Sequence, residues 1–317
     1  MAEQTLNYNP KVFSVTDFNP NEEVYWKEIG DEKEIFRCAF QTKLPFVLKG
    51  PTGCGKTTFV RRMHLDLGAE ISEKSFRPDY VLDLETGIYV KNEAEIPIAP
   101  AFPLYIIDGT EDTEIIHLLG GYTHTGQFVG GPMYHWAHTG GILLLNELAE
   151  LRGDVQTIFN SPLEERTVTI PELGRIVQLP DHAMFVPTYN PGYQAKRTPL
   201  KISTKQRLPG MEFGYPSRDV EAEIVYNAAN VGSNLIDEQT ASKLANLADK
   251  IRSKDKENSV LATREGVSTR LLVMAGKMIG AGLSPAVACQ AAIVVPLANN
   301  RQEAEALEAI IEMCGLE

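Results

Sequence analysis

Gly50-Pro51-Thr52-Gly53-Cys54-Gly55-Lys56-Thr57-Thr58 is the most informative run of the chain. It follows the mostly apolar run Leu44–Leu48 and precedes a helical pattern carrying Phe59, Val60 and Met63. Strand, glycine-rich loop, then lysine and threonine opening a helix is the pattern of a phosphate-binding P-loop. The glycines let successive backbone N–H groups converge on a phosphate, and the helix N-terminus adds the positive end of its dipole. Lys56 brings a point charge to the β- and γ-phosphates, and the Thr57 hydroxyl is placed to ligate Mg²⁺. The expected ligand is a nucleoside triphosphate.

Outward from this loop, the chain alternates between short apolar runs and helical periodicity, which implies a parallel α/β sheet. Pro103-Leu-Tyr-Ile-Ile and Gly141-Ile-Leu-Leu-Leu-Asn-Glu read as buried strands, the second polar only at its C-terminal end. In a parallel sheet that end is where ligands sit. Ala183–Asn190 is one more strand, although Pro187 cannot donate to a central ladder. Between the strands, helices are expected over 112–119, with Ile115, Ile116 and Leu119 on one side, over 133–139, and around Val155, Ile158 and Phe159. Alternation predicts hairpins at 80–90 and at 166–179, and the glycine-rich 120–132 reads as a loop or small hairpin. Residues before about Phe18 are polar and aperiodic, as in a flexible arm.

After Tyr215-Pro216 only helical patterns remain. Ser217 is a candidate cap, Leu244, Leu247 and Ile251 mark a second helix, Leu271, Met274, Met278 and Ile279 a third, and Leu307, Ile310 and Ile311 a last. The expected division is therefore a P-loop α/β core over 1–215, with an insertion near 69–102, and a helical domain over 216–317.

Composition sets bounds on function. The 317 residues carry a formal net charge of −12, which argues against a nucleic-acid translocase. No apolar run approaches a membrane span and the N-terminus has no signal-peptide core, so neither membrane insertion nor secretion is expected. Cys38, Cys54, Cys289 and Cys314 form no CxxC pair, which suits a reduced, cytoplasmic protein. His135 and His138 would share a helix face, with His124 nearby, but no cysteine or carboxylate pattern completes a metal site.

Hydrolysis needs more than a P-loop. Glu147, at the end of the strand 141–147, is the candidate base for the attacking water. Asn146 precedes it where an aspartate usually helps hold Mg²⁺; an amide keeps a carbonyl acceptor but loses the charge. Mg²⁺ held by Thr57 and Asn146 is thus expected to bind more weakly, giving hydrolysis that is slow or needs unusually high Mg²⁺. Asn190 ends the next strand and is placed to orient the same water, although Tyr189-Asn-Pro-Gly is also a turn sequence. Arg207 and Arg270 are the candidates to stabilise charge developing on the γ-phosphate.

These residues carry a family resemblance. LKGPTGCGKT (48–57), GILLLNE (141–147), YNPGYQ (189–194) and GVSTR (266–270), supported by GDEKEIFRCAFQTKLPF, the TKQR run and YPSRD (215–219), resemble the MoxR-group AAA+ ATPases of the CbbQ/NirQ/NorQ branch. The likeness runs from about Val24 to about Asn300. It implies a P-loop AAA+ core, whose parallel sheet is flanked by helices and carries two inserted β-hairpins, and a C-terminal all-helical lid domain. By the same resemblance Lys56 and Thr57 are the Walker A contacts to ATP and Mg²⁺, Glu147 is the catalytic glutamate, Asn190 is sensor 1 and Arg270 is sensor 2. Arg207 would be a finger reaching the ATP of a neighbouring subunit, which implies a homo-oligomeric ring, usually a hexamer. Lys205 stands where relatives often have a second arginine. The 120–132 and 166–179 segments resemble the helix-2 and pre-sensor-1 inserts, with Tyr122 and Phe128 as target contacts or plain packing residues.

The implied function is ATP-driven remodelling of a client metalloenzyme, of the Rubisco or nitric oxide reductase kind, together with a von Willebrand factor A-domain partner. A scaffold that binds ATP with little turnover is the alternative, resting on Asn146. A DNA-translocating relative is disfavoured by the acidity and by the lack of a basic run interleaved with aromatics.

Overall fold

The computed structural model describes residues 13–19, 21–72, 80–83, 85–91, 102–191, 200, 202–230, 232, 234–255 and 266–316. Its contacts divide the chain into two units: 1–23, 31–49 and 59–212 form one, and 24–30, 50–58 and 213–317 form the other. The second unit is therefore more than the chain beyond residue 215, because Gly50–Thr58 and Val24–Gly30 group with it.

The first unit starts with β1 (Phe13–Thr16), α1 (Glu32–Gln41) and β2 (Val47–Lys49), which leads into the P-loop and α2 (Lys56–Ser72). Next come the hairpin β3 (Tyr80–Leu82) and β4 (Tyr89–Lys91), then β5 (Leu104–Asp108) and α3 (Ile115–Leu119). A second hairpin, β6 (Gly120–Tyr122) with β7 (Phe128–Gly130), precedes α4 (Pro132–Thr139) and β8 (Gly141–Asn146). Short turns of helix, α5 (Gly153–Gln156) and α6 (Asn160–Glu164), lead to a third hairpin, β9 (Thr167–Ile170) with β10 (Arg175–Gln178). The unit closes with β11 (Ala183–Tyr189), α7 (Ile202–Lys205) and β12 (Gly210–Glu212).

Six strands form the central sheet in the order β1-β5-β8-β11-β2-β12. All neighbours are parallel except β1, which runs antiparallel along β5. The expected arm is thus an edge strand over residues 13–16, while residues 1–12 lie outside the described residues. Ile142–Leu145 of β8 are fully buried because β5 and β11 flank them in the sheet and side chains cover both faces. From α2, Phe59, Val60, Met63 and Leu67 add to the core, and Phe36 of α1 stacks edge-on against Phe59.

Several expectations change. Pro187 does lie in a central strand, between β8 and β2. Phe46 N–H donates to Phe185 O, so alternate β11 residues face β2, but that ladder starts only at Thr188. The missing proline donor falls on that side, and the regular pairing with β2 begins just beyond it. The helix around Val155 is broken, since a 3₁₀ turn at Thr157–Phe159 separates α5 from α6. In α3, Leu118 and Leu119 are buried whereas Ile116 is half exposed. Tyr122 and Phe128 part company too: Phe128 is buried edge-on against Tyr134, while Tyr122 stays exposed.

The second unit holds α8 (Arg218–Ala229), α9 (Glu238–Asp255), α10 (Thr269–Gly280), α11 (Pro285–Cys289), α12 (Val295–Leu297) and α13 (Arg301–Met313), with a π turn at Gln290–Val294. Ser217 is the residue before α8, but its side chain makes no cap bond. On α10 the buried face is Leu272, Ala275 and Gly276 rather than Met274 and Met278, which remain exposed. Small residues win that face because α8 approaches closely; a Cβ at Gly276 would lie 2.9 Å from the Ala229 methyl.

Candidate functional site

The P-loop is built by backbone constraints. Gly53 and Gly55 have φ of +71° and +99°, in the left-handed region where a Cβ is strained. A Cβ would also collide with the Ser268 hydroxyl at Gly53, 2.7 Å away, and crowd the Trp26 ring at Gly55, 3.2 Å away. Gly50 packs so closely that a Cβ would sit 2.3 Å from the Phe213 carbonyl oxygen. Pro51 and Thr52 continue the loop, and Thr57 and the exposed Thr58 lie in the first turn of α2.

Lys56 is buried, and its ammonium donates to the carbonyl oxygens of Gly50 and Pro51, each at 2.8 Å. No acidic side chain occupies the first turn of α2, so the positive end of the helix is not neutralised there. Burial pushes the Cys54 thiol up, with Lys56 and Arg270 partly offsetting the rise. Two cations thus act on the loop. Helix N-terminus, amide-lined turn and lysine make a donor set that fits a polyphosphate.

The surrounding helical unit holds this loop through a partly buried polar chain. Tyr215 donates its hydroxyl to Thr52 O at 3.0 Å. The Arg252 guanidinium lies 3.9 Å from the centre of the Tyr215 ring and makes two 2.8 Å bonds to the carboxylate of Glu221. Glu221 also accepts from the Thr269 hydroxyl at 2.5 Å, one residue before Arg270, which is exposed at the start of α10. In the segment 24–30, Tyr25 and Lys27 both donate to Glu223. Burial and Glu223 push the Tyr25 phenol up to about 12.

The strand ends of the first unit carry the other predicted residues. Asn146 ends β8 directly opposite Asp108 at the end of β5, and donates its amide N–H to that carboxylate at 2.8 Å. Glu147 adopts a left-handed backbone, φ 56° and ψ 52°, and its N–H donates to the hydroxyl of the fully buried Thr188. An L-residue in that region is strained by about 1–2 kcal/mol, a cost typically met at functional sites. Asn190, buried, follows the end of β11. Arg207 is bonded to Glu164 and to the Ser203 carbonyl oxygen. Lys205 is exposed.

Within single units, then, Gly50–Thr58 lie with Arg270, and Asn146, Glu147 and Asn190 with the sheet's C-terminal edge. Asp108, Tyr215, Glu221, Arg252 and Thr269 escaped the sequence reading as site residues. Glu221 left a trace, since it shares the i, i+4 face of Val225 and Ala229. His135 and His138 pack in an aromatic cluster, with His138 stacked 4.2 Å from Tyr89. Burial lowers both, His135 to about 4 with His138 as a secondary cause. Among the described residues no group of His, Cys, Asp and Glu has the arrangement of a metal site, and no helix is long and apolar enough to cross a membrane.

Residues 221–314 match the family model described as CbbQ/NirQ/NorQ C-terminal, and residues 98–208 match that of the AAA domain, dynein-related subfamily. The chain is 33% identical over 291 residues to Protein CbbQ of Hydrogenophilus thermoluteolus, covering 90% of this chain and 93% of the relative. It is 31% identical to the Denitrification regulatory protein NirQ of Pseudomonas aeruginosa, over 91% of this chain and 96% of that one. Protein NorQ of Paracoccus denitrificans is 31% identical over 86% and 87%. Identity at this level over nearly the whole length, together with a P-loop continuing strand β2 of a parallel sheet, makes the chain a member of the CbbQ/NirQ/NorQ branch of the MoxR-group AAA+ ATPases.

Proposed function

We propose that this chain hydrolyses ATP within a homo-oligomeric ring, hexameric as is usual for the class, and uses the cycle to remodel a client metalloenzyme. The observation that carries this reading is Glu147. Its strained backbone is pinned by Thr188 at the carboxyl edge of the sheet whose strand β2 continues into the P-loop. Lys56 and the N–H groups of Gly53, Cys54 and Gly55 bind the phosphates, and binding withdraws the Lys56 ammonium from the Gly50 and Pro51 carbonyls. The Thr57 hydroxyl and the Asn146 carbonyl would hold Mg²⁺, which would supply neutralisation of phosphate charge. Glu147 takes the proton of the attacking water, and Asn190 orients that water. Arg270 senses the nucleotide from the helical unit, while Arg207 exchanges Glu164 for the phosphate of a neighbouring subunit.

Replacing Glu147 with Gln is expected to lower steady-state phosphate release by roughly 10²- to 10⁴-fold while ATP binding is kept. Equal rates for wild type and E147Q would overturn the hydrolytic reading and leave the ATP-gated scaffold, which the neutral Asn146 favours. The relatives named for denitrification regulation, and the family resemblance, support a client of the Rubisco or nitric oxide reductase kind acting with a von Willebrand factor A-domain protein. Affinity capture with E147Q in ATP, read against such a partner expressed alongside it, tests that step. Failure to co-purify in ATP would remove it.

A further inference from the structure

The neutral residue at position 146 does not stand alone. Register lays β5 beside β8 with their C-terminal ends level, so that Asp108 is opposite Asn146. The Asn146 amide donates to Asp108 Oδ1 at 2.8 Å. A carboxylate at neutral pH only accepts, so the nitrogen end of the amide must face Asp108 and the carbonyl oxygen is the other end. The backbone reinforces the pairing. Gly109 N–H donates to Asn146 O at 2.9 Å. A Cβ at Gly109 would lie 2.9 Å from Asn146 O and 3.0 Å from Glu147 O, so glycine lets the chain beyond Asp108 close onto this dipeptide. The end of β5 is thus fastened to Asn146 by side chain and by backbone.

We propose that Asp108 and Asn146 together replace the aspartate usually found at the end of β8, an inference that rests on the ATP-binding function above. Asn146 offers Mg²⁺ its carbonyl oxygen. Asp108 is a positioning residue: it sets the orientation of that amide and places the missing negative charge one strand away. Outer partners of this kind govern metal affinity by about 10- to 100-fold in general. It follows that an aspartate at 146 is not an improvement in this chain, because it would set two carboxylates within hydrogen-bonding distance.

The test is Mg²⁺ titration of the full-length protein with a fluorescent ADP analogue, with the metal-free affinity measured in EDTA. Asp108→Asn is expected to raise the Mg²⁺ midpoint about tenfold and leave the metal-free affinity unchanged. Asn146→Asp alone is expected to leave the midpoint no lower than in wild type. The exchange, Asp108→Asn with Asn146→Asp, restores the donor–acceptor pair with its roles reversed and is expected to bring the midpoint within about threefold of wild type. An unchanged midpoint in D108N, or a tenfold lower midpoint in N146D alone, would overturn the proposal. Loss of metal-free binding in wild type would instead count against the nucleotide reading, and Lys56→Ala provides the reference for that failure.

Discussion

Two carboxylates show how differently this chain handles charge. Glu221 is fully buried and meets Arg252 in a two-bond pair, with the Thr269 hydroxyl as a third partner. Asp108 is exposed and accepts a hydrogen bond from a neutral amide. A buried charge must be fully matched, because an uncompensated ion inside the protein costs several kcal/mol. An exposed one has water and can be committed to a ligand. Glu221 therefore serves architecture, tying the starts of α8 and α10 to α9 and, through Arg252 and Tyr215, to Thr52 of the P-loop. Asp108 keeps its water while it orients the Asn146 amide, so its removal is expected to cost the fold little.

The largest expected effect breaks the buried member. Glu221→Ala strands the Arg252 guanidinium and should cost about 3–5 kcal/mol of stability, measured by urea denaturation. Replacing both residues with leucine should recover most of that loss, and failure to recover would mean that the pair holds more than itself. Next comes the buried group with no opposite charge to match it. His135 stays neutral in the aromatic cluster, lowered to about 4 chiefly by burial. Between its ordinary pH range near 6.5 and about 4, the unfolded chain binds a proton that the folded chain does not. Stability is therefore complete above about pH 6.5 and falls as the pH drops toward 4, by up to about 3 kcal/mol from this residue. Thermal melts from pH 7.5 to 4.5 should show the fall, and His135→Gln should remove its share, leaving that of His64, His138 and His182, which burial lowers as well.

A smaller effect probes the link to the loop. Tyr215→Phe keeps the ring under Arg252 but removes the bond to Thr52 O, worth about 1 kcal/mol, or roughly fivefold in nucleotide affinity. Unchanged affinity would detach the polar chain from the site. The smallest change is in the stability of Asp108→Ala, expected to lie within about 0.5 kcal/mol of wild type. A loss comparable to that of Glu221→Ala would erase the contrast between the two carboxylates.

Legibility in the sequence tracks the range of the physics involved. Gly53 and Gly55 announce a left-handed turn, Lys56 and Thr57 a helix start, and Ile142–Leu145 a strand covered on both faces; each depends on dihedrals or periodicities within a few residues. The hairpin β9–β10 was legible for the same reason, since alternation and a Pro171–Gly174 turn are local. The face of α10 was not, because apolar residues surround that helix and only the close approach of α8 selects Ala275 and Gly276 over Met274 and Met278.

The P-loop, the parallel α/β core, the helical C-terminal part, the family resemblance and the conspicuous asparagine at 146 can all be read along the chain. What that asparagine means depends on how the strands pack. Its partner Asp108 is 38 residues away and is brought opposite by the register of β5 on β8. Glu221, Arg252 and Thr269 likewise meet only when three helices pack. Backbone conformation is dictated by neighbours along the chain, whereas the matching of charges depends on which strands and helices come to lie side by side.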